Sequence, residues 1–341
     1  MKAMILEKVQ AITEGLFPLA FKDISVPIPR EGEVRLRVAA CGVCHTELDE
    51  IEGRTPPPFL PVVPGHQVVG IVDALGIGVT KAKIGDRVGV AWIFSACGYC
   101  SFCLSGQENL CAEFLATGRD VNGGYAQFMT VSENFIYQIP QVFSDAQAAP
   151  LLCAGAIGYR SLRLANLNDS ESLGLVGFGA SAHIVLKLVQ YRYPQSKIFV
   201  FSRSEQERRF AGELGAYWSG SFEDTPPQQI HAVIDTTPVW KPILISLQHL
   251  EPGGRLVINA IRKEEIDKSV LTSLDYPSHL WMEKEIKSVA NVSRADVSEF
   301  LSLAAKIPIY PEYQEYPLAE ANQALIEMKT RKIRGAKVLR I

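Results

Sequence analysis

One stretch restricts the fold of this chain more than any other: Gly174-Leu-Val-Gly177-Phe178-Gly179-Ala180-Ser-Ala182, set between a short apolar strand and a helical run. Gly177, Gly179 and Ala182 match G-x-G-x-x-A. The first glycine permits a tight turn, the second lets backbone approach a pyrophosphate, and the third small residue keeps helix and strand close. Unpaired N–H groups and the positive dipole end of the following helix then face an anion. Such a motif is weak alone. Here it has the strand before and the helix after that a dinucleotide site demands.

The surrounding pattern agrees. Helical periodicity over 155–163 precedes a strand at 172–176, a helix at 180–191, a strand at 197–201 and a helix at 206–214. Two further apolar strands follow at 232–234 and 255–258. This alternation predicts an α/β fold with a doubly wound parallel sheet. Upstream the texture differs. Short β-branched segments at 33–39, 67–74 and 87–91 are separated by Gly and Pro turns, which predicts a small barrel-like β domain. A chain of 341 residues accommodates two domains. The expected boundaries are 1–149 for the β-rich domain and 150–287 for the cofactor domain, with a mixed stretch at 288–341.

Cofactor choice is read about 20 residues past the glycine turn, where an acidic residue commonly binds ribose hydroxyls. Ser202-Arg203-Ser204 stands there instead. An arginine flanked by two hydroxyls suits a 2′-phosphate, so NADP(H) is expected in preference to NAD(H).

Four of the seven cysteines fall close together, Cys97, Cys100, Cys103 and Cys111, as C-x2-C-x2-C-x7-C. Four thiolates close a tetrahedral zinc shell with no open position, so this site is expected to be structural. A four-cysteine iron–sulfur cluster is the functional alternative, and unconnected buried thiols are the plain one. A second group is Cys44, His66 and Cys153. Three ligands of this kind leave zinc one open position, where it can act as a Lewis acid on an alcohol or carbonyl oxygen. Each residue alone has a plainer reading as core or turn, and only the combination points to metal. Cys41 is read as buried packing.

The net charge of −3 gives no basic footprint for nucleic acid or an anionic membrane. The first ten residues show no long apolar signal region, and the most apolar stretch, 172–190, is broken by glycines. A cytoplasmic protein with reduced thiols is expected.

Taken together, Cys41-Gly-Val-Cys-His-Thr, Pro64-Gly-His66, the four-cysteine lobe, Leu151-Leu-Cys-Ala-Gly and Gly177-Phe-Gly-Ala-Ser-Ala-His closely resemble the zinc-containing alcohol dehydrogenases of the medium-chain dehydrogenase/reductase superfamily, nearly end to end. The resemblance implies a GroES-like catalytic domain, a Rossmann cofactor domain and a last stretch that returns to the first. It implies an active site in the cleft between them, and a homodimer or homotetramer. Two zinc ions per chain are implied, the catalytic one on Cys44, His66 and Cys153. Thr46 matches the hydroxyl that relays the substrate proton, and His45 a residue contacting the pyrophosphate. Glu47 stands where the family usually has Asp, orienting the ligand histidine. Arg334 resembles a phosphate-binding arginine, and Asn291 and Arg294 lie in a segment like one lining the cofactor site. Two departures stand out: Gln67 replaces a glutamate that can approach zinc, and Asp49 replaces a histidine that ends the proton relay in some relatives.

The implied reaction is reversible hydride transfer between an alcohol and a nicotinamide, with an aldehyde or ketone as the reverse substrate. Trp92 and Phe94 are read either as an apolar substrate lining or as core beside the lobe. A zinc polyol dehydrogenase is the runner-up among enzymes. A non-catalytic binding protein and a zinc nucleic-acid module are the other classes, opposed by the intact ligand set and the acidic balance.

Overall fold

The computed structural model describes residues 1–13, 15–307, 309–330 and 335–341. They form two compact units, one of residues 1–156 with 292–341, the other of residues 157–291. The chain thus passes between units after Ala156 and after Asn291, each a few residues later than the texture change in the sequence.

The first unit is built on a seven-stranded sheet. The central strand Glu33–Val43 pairs antiparallel with Gln67–Leu75, with Phe128–Ser132 and with Ala336–Arg340 near the end of the chain. Val34, Leu36 and Val38 point inward in strict alternation and are buried, which fixes the register because a one-residue slip would expose all three. The core around them includes Met4, Leu6, Val68, Val72, Tyr125, Met129 and Leu325.

The second unit is a six-stranded parallel sheet. Its strand order is Trp218–Gly220, Ile198–Phe201, Leu173–Val176, Ile230–Asp235, Leu250–Ile258, Glu285–Ser288. In chain order that is 3-2-1-4-5-6, the doubly wound Rossmann arrangement, with the order reversing beside the first strand. Leu173, Leu175, Ile198, Phe199 and Val200 are almost wholly buried, as strands covered on both faces must be.

No helix among the described residues is long and apolar enough to cross a membrane.

Candidate active site

Cys44 is the N-cap of the helix His45–Ile51, which starts directly after the central strand of the first unit. Glu47 closes a capping box there, its Oε2 accepting the Cys44 N–H at 2.8 Å. Its other oxygen, Oε1, lies 2.6 Å from His66 Nδ1, and both side chains are fully buried. One carboxylate therefore fixes the backbone of Cys44 and the ring of His66 together, leaving Nε2 of that ring for a ligand.

His66 follows Gly65, whose φ of +100° suits glycine. A Cβ at Gly65 would also lie 2.3 Å from the Tyr125 ring. Cys153 arrives from a third stretch, a π-helical turn Leu151–Gly155 between two α-helices. The wider π turn re-aims a single side chain, a device common at functional sites.

The ligand atoms of Cys44, His66 and Cys153 all lie within 4.8 Å of one another. The two Sγ atoms are 3.9 Å apart. With metal–sulfur bonds of about 2.3 Å, a tetrahedral site has sulfur–sulfur edges of about 3.8 Å, so the spacing of the two sulfurs fits a zinc ion. The Cys153 contact, aided by His66, holds Cys44 well below the ordinary thiol range. The same contact and burial push Cys153 well above it. A divalent cation favours both as thiolates. Burial pulls His66 down, but the Glu47 charge and the Cys44 contact outweigh it and raise this histidine.

Around this group, Thr46 Oγ1 sits 3.6 Å from Cys44 Sγ and is partly exposed, while His45 is exposed. Asp49 is paired with Arg54, which also holds Glu52. Gln67 is buried and packs onto Gly42, its partner across the ladder. Sequence reasoning missed Glu50, buried to 2 % exposure with no hydrogen-bond partner for Oε1 among the described residues. Burial, then the Glu47 charge, drive its carboxyl well above the usual range. Its position three residues after Glu47, on a helix that also carries Asp49, is the signal that could have drawn notice.

The cysteine lobe is equally compact. Cys97, Cys100, Cys103 and Cys111 place their sulfurs within 4.8 Å of one another, with Cys97 and Cys103 at 3.8 Å. Backbone N–H groups of Cys100, Cys103 and Glu113 point at Cys97, Cys100 and Cys111 sulfurs at 3.4, 3.5 and 3.4 Å. Four sulfurs gathered this closely, three of them accepting backbone N–H groups that stabilise thiolates, suit a closed metal shell. Arg294 belongs to this region: its N–H and Nε both donate to Glu108, at 2.5 and 3.0 Å, and its guanidinium lies over Phe135. Trp92 and Phe94 are in the hydrophobic core of the first unit, Trp92 against Phe114 and beneath Arg119.

In the second unit, Gly177 has φ of +79°, and a Cβ there would meet Thr236 Oγ1 at 2.8 Å. Gly179 caps the helix Ala180–Arg192, and a Cβ on it would meet no atom within 4 Å among the described residues. Backbone N–H groups at the head of a 13-residue helix thus open onto space a phosphate could fill. Phe178 is buried edge-on against Phe210.

At the end of the next strand, Arg203 is exposed and Ser202 is buried. The Ser202 hydroxyl donates to Glu207, and Ser204 caps the helix Glu205–Glu213 by accepting the Glu207 N–H at 3.3 Å. Arg208 Nη1 donates to the Ser202 and Arg203 carbonyls at 2.7 and 3.1 Å. A carboxylate therefore does reach the strand end, delivered from the helix. Asn291 has φ of +57°. Arg334 lies outside the described residues.

Residues 30–141 match the alcohol dehydrogenase GroES-like domain. The chain is 41 % identical over 329 residues to a probable alcohol dehydrogenase of Mycobacterium tuberculosis, covering 95 % of this chain and 93 % of that one. It is 32 % identical to an alcohol dehydrogenase of Geobacillus stearothermophilus, covering 98 % and 99 %. Among solved structures it is similar to a cinnamyl alcohol dehydrogenase of Sorghum bicolor, with a TM-score of 0.87, 27 % identity and coverage of 99 % and 97 %. Two units of the right architecture, ligand-type residues gathered in the first and a glycine turn heading a helix in the second lead to the same place as these likenesses: the chain belongs to the alcohol dehydrogenases of the medium-chain dehydrogenase/reductase superfamily.

Proposed function

We propose that this alcohol dehydrogenase is zinc-dependent, interconverting an alcohol and its aldehyde or ketone with a nicotinamide cofactor, and that it favours NADP(H) over NAD(H). The observation that carries the reading is the convergence of Cys44, His66 and Cys153 from three distant stretches, with Glu47 bound to two of them. Zinc, when bound, supplies Lewis acidity that polarises a substrate oxygen and lowers the pKa of an alcohol. Cys44 and Cys153 offset its charge, and the Cys2His set leaves one position free for substrate. Glu47 keeps His66 in the orientation that presents Nε2. Thr46, next to Cys44 in space and partly exposed, takes the substrate proton on its hydroxyl and passes it outward. Four thiolates in the lobe hold a second zinc that is structural.

For the cofactor, the turn at Gly177 and the open face of Gly179 support pyrophosphate binding at the Ala180–Arg192 helix. Exposed Arg203 at the strand end supports the 2′-phosphate. The same reading makes the protein cytoplasmic and a homodimer or homotetramer.

The test is a panel of primary, secondary, cinnamyl and polyol alcohols with both cofactors, on protein of measured zinc content. Turnover by wild type and its loss in a folded Cys153→Ala variant are expected. Zinc-loaded protein that oxidises no alcohol with either cofactor would sink the reading, and a tenfold preference for NAD(H) would sink the cofactor choice.

A further inference from the structure

We propose that Glu108 and Arg294 are positioning residues for Cys153, linking the closed cysteine lobe to the open three-ligand group through the helix Arg294–Lys306. The inference rests on the reading of Cys44, His66 and Cys153 as metal ligands, and extends it to side chains that touch none of them.

Every step lies within the first unit. Glu108 opens a short 3-10 turn, Glu108–Leu110, between the lobe ligands Cys103 and Cys111, and its carbonyl accepts the Cys111 N–H at 3.1 Å. Its carboxylate is buried at 1 % exposure, with Oε1 on Arg294. Because Arg294 is the first residue of its helix, that oxygen meets both a guanidinium and a main-chain N–H at the positive dipole end. Glu108 is buried while the Arg294 side chain is 41 % exposed, so the main-chain N–H bond to the buried carboxylate is what fixes the helix start. The Ser293 and Asp296 capping box, itself buried, holds the same turn rigid.

Two turns along, Phe300 is wholly buried, and its ring occupies the space where a side chain on residue 155 would stand. A Cβ on Gly155 would lie 2.2 Å from Phe300 Cε1. Gly155 ends the π-helical turn that carries Cys153. The helix is thus clamped by the lobe at its head and seated, through an aromatic ring, against the backbone two residues from a ligand. A shift of the helix start moves that ring. The π turn in contact with that ring carries Cys153, whereas Cys44 and His66 are held separately by Glu47, so the shift reaches one ligand of the three.

The experiment loads the full protein with cobalt in both sites, where three-ligand and four-thiolate cobalt differ in ligand-field and charge-transfer bands. A chelator titration then follows each set of bands in wild type, Glu108→Gln and Phe300→Leu. In both variants the open-group cobalt is expected to be released at about tenfold lower chelator concentration, the size typical of losing a partner behind a ligand. Lobe cobalt is expected to be retained. The two variants perturb opposite ends of the link, so a folding defect in one leaves the other to decide. Release of open-group cobalt at wild-type concentrations from both variants, or selective loss of lobe cobalt, overturns the inference. A wild-type protein that loads cobalt in the lobe alone overturns the proposed function and this inference with it; loading of both sites with unchanged release overturns this inference only.

Discussion

A single buried lysine shows how far one residue's chemistry reaches. Lys337, with 0 % exposure, sits on the strand that pairs with Val43, one residue before Cys44. Its ammonium is held by Glu327 at 2.5 Å, by the Tyr316 hydroxyl and by the Tyr316 ring face at 4.4 Å. The Lys337 ammonium, then the Tyr316 and Gln323 donors, hold the Glu327 carboxyl down at about 2. A carboxyl depressed in the folded state contributes stability above its ordinary value near 4.5 and loses it as pH falls toward 2. Glu327→Gln is expected to cost about 3 kcal/mol at pH 7 by stranding the ammonium. It should cost much less at pH 3, and melts of both proteins at the two pH values check this. A difference that stays constant with pH would show that Glu327 acts through packing. At this scale the sequence was most legible where partners are near in the chain. Glu47, three residues from Cys44, was readable by position. Pairs such as Lys337–Glu327 and Arg294–Glu108 were not, because Lys337 and Glu108 are charged residues in polar segments that read as surface until the fold buries them.

Among elements, the glycine turn and its helix match expectation closely, since an apolar strand, a Gly-x-Gly and a helical run leave few alternatives. The buried strands Leu173–Val176 and Ile198–Phe201 likewise lie within a residue of their expected bounds. The edge strands Trp218–Gly220 and Glu285–Ser288 carry no such signal; the latter, Glu-Ile-Lys-Ser, is exposed at all four positions, so neither hydrophobic run nor alternation marks it. The π turn around Cys153 looks in sequence like the start of the next helix. The helix Glu205–Glu213 alters the cofactor reading most, because its Glu207 accepts the Ser202 hydroxyl at the strand end where the sequence offers no acid. A negative charge beside the expected 2′-phosphate opposes it. Glu207→Gln is expected to raise the NADP-to-NAD ratio of kcat/KM by about fivefold, on the order of 1 kcal/mol of charge repulsion. Steady-state kinetics with each cofactor check it, and an unchanged ratio would place the discriminating contacts elsewhere.

For the whole molecule, the two ligand groups predict two different failures. Cys153→Ala removes one of the three proposed ligands from a group whose surroundings are held by Glu47 and by the sheet, so turnover is expected to vanish while the melting temperature stays within a few degrees of wild type. Cys103→Ala opens a shell around which the lobe, built from short turns and a four-residue helix, has little other core. Lower stability and solubility are expected to precede any change in activity per folded molecule. Paired melts and assays separate the two, and the reverse pattern would exchange the roles of the sites. The β-rich and Rossmann architectures were both legible at this scale, because strand–helix alternation and short β-branched segments are properties of whole regions.

The pairing of Ala336–Arg340 with Glu33–Val43 has a consequence for how the molecule is made. As the polypeptide leaves the ribosome, residues 157–291 can complete their sheet from one continuous stretch, whereas the sheet that leads into Cys44 lacks two of its strands, Tyr313–Pro317 and Ala336–Arg340, until residues that follow that whole stretch have been made. The Rossmann half can therefore mature first, and the half that gathers Cys44, His66 and Cys153 closes after it.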